Sequence, residues 1–408
     1  MQKAFRLGTC ASLVLYMLAL THASDSPTEA PTGFDNRTNG FIEQNEFDRA
    51  RADFEETEGI ASGLGPVYNA QSCVACHGNP VTGGLSQITE LRSGHTKKDG
   101  SFEAAAGGSL LNDAAIDSLI QERVPDSENV RTLRISVNIL GDGFVEAIDD
   151  ETIRAIALQQ PMISAGAIAG KVIEVPLAEA PGQTRVGRFG WKNKQASLLS
   201  FAGDAYLNEM GITNRFFPTE NTSMGYSVGH YDTVPDPEDS PNKAPGAQDI
   251  DEFADFMRAT KAPPRDPDLA GRPEAVAGAK VFEQIGCATC HVTTFVTLPP
   301  GTLINGGALK VANALGNKRI RPFGDFLLHD IGTGDGIVQN GDQSTAKRLR
   351  TPPLWGLRTR SRLMHDGLSM TRNDAIQRHG GEAQRVTDAY RALSGTDRQA
   401  LLTFLDSL

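Results

Sequence analysis

Apolar residues recur at helical spacing in several well-separated parts of the chain. Phe47, Ala50 and Phe54 stand among charges over residues 45–58, and Gly63-Leu64-Gly65-Pro66 closes the segment, so the pattern predicts a helix there. Asp149-Asp150-Glu151 puts acids in the first turn of a helix through Ile153, Ile156 and Ala157. Further helices are predicted over 249–260 and over 274–285, the latter carrying Gly278 and Phe282. A capping box, Thr396-Asp397-Arg398-Gln399, announces a last helix with Leu401, Leu402, Phe404, Leu405 and Leu408 on one face. Period-two alternation is scarcer: Leu133, Ile135 and Val137 alternate with polar residues, and Val172 to Val175 is a second short run. The pattern predicts a mainly α protein whose first half carries an insertion, about 101–185, with short β-strands.

Between these elements the composition marks boundaries. Residues 24–40 are rich in Ser, Thr, Pro and Asp and read as a loose arm. The stretch up to about residue 110 is Gly- and Ser-rich and reads as loop. Pro235, Pro237, Pro241, Pro245, Pro263, Pro264 and Pro267 crowd residues 231–267, which read as an interdomain connection interrupted by the 249–260 helix. Two domains follow, 41–230 and 268–408.

Each domain holds one chemical signature. Cys73-Val74-Ala75-Cys76-His77 and Cys287-Ala288-Thr289-Cys290-His291 have the spacing of covalent c-type haem attachment sites. Two intervening residues make a tight turn that sets both sulfurs along one porphyrin edge, and the next residue brings an imidazole to the iron. A zinc or redox dithiol site is the competing reading of a single motif. The repetition, which uses four of the five cysteines, favours two covalently bound haems with His77 and His291 as proximal ligands.

The remaining cysteine, Cys10, lies in an N-terminal segment of secretory type. Lys3 and Arg6 precede an apolar run from Leu7 to Leu20, and Thr21 and Ala23 have signal-peptidase spacing, so residues 1–23 read as a signal peptide. The run is short for a membrane anchor. Removal of this segment leaves 37 Lys+Arg against 50 Asp+Glu, a formal charge of −13. Such acidity argues against nucleic acid as a partner and suits a basic redox partner. A periplasmic or secreted location is expected, with no membrane span after cleavage.

With both motifs placed, further phrases carry a resemblance. They are Gly63-Leu64-Gly65-Pro66-Val67-Tyr68-Asn69-Ala70, Gly187-Arg188-Phe189-Gly190-Trp191-Lys192, Leu327-Leu328-His329-Asp330, Arg350-Thr351-Pro352-Pro353-Leu354-Trp355-Gly356-Leu357 and His365-Asp366-Gly367 with Ala375 to Ala383. In this order they resemble the di-haem oxidoreductase family sometimes labelled "thiol oxidoreductase". That family is related to the bacterial di-haem cytochrome c peroxidases and to the di-haem enzyme that matures methylamine dehydrogenase. Nothing here supports the word thiol, since both cysteine pairs are committed to haem.

The resemblance implies two cytochrome c-like domains and a set of site residues. The peroxidases place a Met, and the methylamine-system enzyme a Tyr, twelve residues after the Gly of the His-Asp-Gly phrase; that register reaches His379 here. The implied second haem is held by His291 and His379 and passes electrons, with Met364 as the alternative ligand. Without a Met-ligated haem to be reduced first, the protein is expected to react with peroxide in its ferric state. Trp191 matches the tryptophan between the haems, with an ordinary core tryptophan as the alternative. Glu209 matches the distal acid across a two-residue deletion, with a surface helix glutamate as the alternative. Phe201 stands where the relatives have a Gln, a departure that dries the pocket. His95, eighteen residues after His77, resembles a removable distal histidine, although an exposed loop histidine beside Lys97 and Lys98 is the competing reading. His329 and His365 are expected to bond propionates or to order the haem interface, and the relatives' interdomain calcium ion is a further implied cofactor.

The function implied is a peroxidase-type oxidoreductase that takes electrons from a redox protein or a small donor and reduces peroxide. A non-catalytic electron-transfer protein with two closed haems is the alternative, and a di-haem oxygenase the third reading.

Overall fold

The computed structural model describes residues 26–236 and 248–408. The signal-peptide segment, Cys10, Pro237, Pro241 and Pro245 lie outside them.

Three helices make the first core: Gln44–Glu55, Leu198–Met210 and Asp249–Ala259. Phe47, Ala50 and Phe54 are the buried residues of the first, as the spacing predicts. Rings lock the three together: Phe54 and Phe256 centroids are 4.8 Å apart, and Tyr206 meets Phe253 edge-on at 5.1 Å. Ser197 starts the second helix by accepting from Leu199 N and Ser200 N, and Gly211, at φ +70°, ends it. The third helix buries Ile250, Phe253, Ala254, Phe256, Met257 and even Arg258. The Arg258 charge is matched by Glu146 at 2.8 Å. The segment between the prolines is therefore a core helix of the first half.

The second core is the crossing of Pro273–Gln284 and Gly395–Asp406. At Gly278 an added Cβ would lie 2.0 Å from Ala400 O and 2.8 Å from Phe404 Cβ, so the close approach requires glycine. Phe282 and Phe404 pack at 5.3 Å beside it. The last helix starts two residues earlier than its sequence predicts: Ser394 is the cap, accepting from Asp397 N at 3.1 Å and donating to Asp397 Oδ2 at 2.8 Å.

The expectation of a mainly α fold is corrected. The structure is 33% helical and 15% strand, a mixed α/β protein with several small sheets. In the largest sheet, Thr89–Thr96 pairs antiparallel with Val130–Ile135, from Thr89↔Ile135 to Gly94↔Val130. Phe102–Ala104 and Leu110–Leu111 pair with the same central strand. The region between the first motif and residue 110, read as loop, thus contains the central strand. Its sequence, TELRSGHT, is too polar to announce itself, and its pairing comes from far along the chain. The N-terminal arm is likewise ordered: Thr28–Glu29 pairs with Lys318–Arg319, and Asn39 Nδ2 donates to Arg258 O and Thr260 O. Among the described residues no helix is long and apolar enough to cross a membrane.

Candidate functional site

Cys73–Cys76 forms one helical turn after Ser72, and His77 follows. The turn opens on a cleft of about 1590 Å³ of empty space lined by Cys73, Cys76, His77, Trp191, Phe201 and Glu209. His77 Nδ1 lies 3.3 Å from Gly84 O, and burial pushes its pKa down to about 4. A neutral ring that donates from Nδ1 to a carbonyl keeps the Nε2 lone pair for a metal. Burial pushes both thiols up to about 12, which disfavours the thiolate.

Glu209 stands at the end of the Leu198–Met210 helix, where Asn69 Nδ2 donates to its Oε2 at 2.9 Å. Burial, and after it the Glu90 charge, raise its pKa to about 7 against the opposition of Arg92 and of the Asn69 hydrogen bond. Glu90 and Arg92 line the same cleft, with Arg92 Nε and Nη2 donating to the two Glu90 oxygens at 3.1 and 2.8 Å. These two were missed in the sequence. They sit two apart on one strand and so share a face, a signal visible only once that stretch is known to be a strand. Phe201 also faces the cleft and stacks on Phe189 with centroids 6.1 Å apart. His95 lies on the Thr89–Thr96 strand and lines neither haem-motif cleft. Its Nδ1 is 3.2 Å from Glu128 Oε2 and its Nε2 is 3.6 Å from Glu103 Oε2.

The second motif repeats the arrangement on a 3-10 turn, Cys287–Thr289, entered through Gly286 at φ +97°. Its cleft, about 1280 Å³ and chiefly apolar, is lined by Cys287, Cys290, His291, His379, Met364 and Trp191. His291 Nδ1 is 3.0 Å from Phe323 O, and His379 Nδ1 is 2.7 Å from Ala375 O. Burial lowers both pKa values, that of His291 to about 4. Both rings therefore present Nε2, as His77 does. His329 is buried between Asp325 Oδ2 at 2.9 Å and Glu382 Oε2 at 2.8 Å. Burial opposes its charge, but Asp325 and its other partners hold the pKa well above the ordinary histidine value. With Cys290 and Asp325 it forms a group of metal-ligating side chains, but Cys290 belongs to the attachment motif. His365 is buried, sits edge-on to the Trp191 ring at 6.1 Å, and leaves Nδ1 without a partner.

Two residues line both clefts, Trp191 and Arg350. Trp191 Nε1 donates to Ile135 O at 2.8 Å, and the indole packs between Ile135 and Leu349. Arg350 donates from Nε to Gly190 O at 2.8 Å; burial pushes its pKa down to about 10. Arg360, in the second cleft, is likewise pushed down to about 10, and its Nε has no partner. Buried guanidiniums lacking an ion pair are costly, and haem carries two carboxylates able to pair with them. With paired cysteines and Nε2-presenting histidines on each cleft, the residues fit two haem groups.

The model of the di-haem oxidoreductase family matches residues 97–408. The chain belongs to the di-haem oxidoreductase family. The match includes Trp191, Glu209, the second motif and His379, and begins after Cys73–His77. No curated protein matches this di-haem oxidoreductase. Solved structures similar to it include a hydrazine synthase of Kuenenia stuttgartiensis, at 14% identity over 98% of this chain and 100% of that one, with a TM-score of 0.40. A MauG-like protein associated with microbial copper homeostasis matches at 14% identity over 95% and 94%, with a TM-score of 0.41. The diheme peroxidase BthA of Burkholderia thailandensis matches at 14% over 78% and 94%, with a TM-score of 0.33.

Proposed function

We propose that this di-haem oxidoreductase is a periplasmic peroxidase-type enzyme with a reactive first centre at Cys73–His77 and an electron-transfer centre held by His291 and His379. The observation that carries the reading is the inequality of the two clefts: Glu209 faces only the first, which has one histidine, His77; four face the second, His291, His329, His365 and His379; and Trp191 faces both. Haem, when bound, supplies the iron that takes up peroxide and the orbitals that pass electrons.

The side chains supply the rest. Asn69 holds Glu209 Oε2, leaving Oε1 as the atom that would accept a proton from peroxide and return it during the O–O cleavage the haem would support. A carboxyl near pH 7 in affinity is suited to both transfers. Phe201 keeps water from competing at that face. His291 and His379 would hold the second haem through their Nε2 atoms, and Trp191, which lines both clefts, would carry electrons drawn from a basic redox protein or a small donor. Reduction of one peroxide to two waters consumes two electrons and two protons.

The alternative, a carrier with two closed haems, makes a different spectroscopic forecast. In the resting ferric holoprotein the enzyme gives a high-spin EPR signal from the first centre beside a low-spin signal from the second, and stoichiometric peroxide removes the former without prior reduction. Low-spin signals alone, unchanged by peroxide, would establish the carrier. The engagement of His95 by Glu128 and Glu103 supports an open first centre.

A further inference from the structure

Next to Trp191 lies a buried charge that the proposed reaction does not use. Lys192 is 1% exposed. Its Nζ is 2.8 Å from Thr345 O, 3.2 Å from Ala346 O, 2.6 Å from Arg348 O and 3.0 Å from Asp335 Oδ1. Asp335 Oδ2 accepts in turn from Arg134 Nε and Nη2 at 2.8 and 2.6 Å. One acid thus stands between two cations, and the ammonium depends on backbone oxygens for the rest of its shell. Three carbonyls from residues 345–348 converge on one point, which an ordinary ion pair does not require. An all-oxygen shell of converging carbonyls and a carboxylate is the kind that hard divalent cations, calcium above all, take from proteins.

The same stretch grips the chain on both sides of Lys192. Arg350 N donates to Trp191 O at 2.8 Å, Arg350 Nε to Gly190 O at 2.8 Å, and Asn340 Nδ2 to Asn193 O at 3.0 Å. The ammonium sits at the centre of the contact that fastens the indole between the clefts.

We propose that the Lys192 ammonium is a built-in cation, filling from within the chain a site of the kind a divalent metal ion occupies, and so fixing Trp191 between the two clefts without a bound metal. Burial draws the Lys192 pKa down to about 8 while Asp335 holds it up, so the ammonium form persists at neutral pH. The inference concerns where the indole is held and stands whether or not electrons pass through it.

The test uses the holoprotein. Wild-type thermal unfolding, followed by far-UV circular dichroism, is expected to be the same in EDTA and in millimolar calcium. Lys192→Ala removes the charge and opens room for an ion. Its Tm is expected to fall by about 5–10 °C in EDTA, to recover most of that loss in calcium, and titration calorimetry is expected to find one calcium per chain that wild type lacks. Lys192→Met, whose side chain still fills the space, is expected to show the fall without the recovery. A wild-type Tm that drops in EDTA, an alanine variant as stable as wild type, or one that calcium neither binds nor restores would each overturn the proposal. If Lys192→Ala does not accumulate under ordinary conditions, production in calcium-supplemented medium decides: folded holoprotein there supports the proposal, and its absence there too refutes it.

Discussion

Replacing Glu209 by Gln separates rate from stability in opposite directions. The folded-state pKa of Glu209 is about 7 against an ordinary value of 4.5, chiefly because its environment disfavours the carboxylate. The folded protein therefore binds this proton more tightly than the unfolded chain. The penalty is absent at low pH, grows as pH rises from 4.5 towards 7, and is complete above 7. Each pH unit of difference is worth about 1.4 kcal/mol, which gives a penalty of about 3 kcal/mol above pH 7. Gln carries no charge at any pH and keeps an oxygen for Asn69 Nδ2. Denaturant unfolding of the Glu209→Gln holoprotein is thus expected to match wild type near pH 4.5 and to exceed it by about 2–3 kcal/mol at pH 8. Peroxide turnover should move the other way, falling by about 10²–10⁴-fold. The wild-type rise in kcat/KM through pH 7, as the base form appears, should disappear. A variant within tenfold of wild type, or one whose profile still titrates near pH 7, would show that another group moves the proton.

Glu90 raises the Glu209 pKa by its charge, so Glu90→Gln should shift the ascending limb of the pH–rate profile to lower pH; pH–rate measurement on the holoprotein checks it. His379→Ala should convert the low-spin EPR signal of the second centre to high spin and leave both haems covalently attached after acid–acetone extraction. Gly278→Ala places a methyl against Ala400 O and Phe404 Cβ, and the crossing helices must part; denaturant titration is expected to show a loss of about 3 kcal/mol.

The long amphipathic helices were legible because their signal is local. Phe47, Ala50 and Phe54 mark a buried face within three turns, and Gly278 and Phe282 mark a crossing, wherever the partner lies. The small sheets carry no comparable period. Thr89–Thr96 is a strand because Val130–Ile135 comes back to it, and no residue within TELRSGHT encodes that return. The same gap hid Glu90 and Arg92, which reach the first cleft only through that pairing, and Arg134, which meets Asp335 from the far end of the chain. The last helix shows a smaller error: Ser394 and Thr396 both head plausible capping sequences, and the tertiary position of the chain selects the earlier one. The two Cys-x-x-Cys-His stretches were legible for the same local reason as the helices, since each places its residues on a single turn of the chain.

The core helix Asp249–Ala259 has a consequence for how the protein is assembled. It supplies Phe253 and Met257 to the wall of the first cleft, yet it is made long after Cys73–His77 leaves the ribosome. Thr28–Glu29 waits longer still for its partner Lys318–Arg319. Until the Asp249–Ala259 helix is in place, the cleft at Cys73–His77 lacks the wall that Phe253 and Met257 supply. A chain ending before Asp249 would keep Cys73–His77 while losing Phe253 and Met257 from the wall of its cleft.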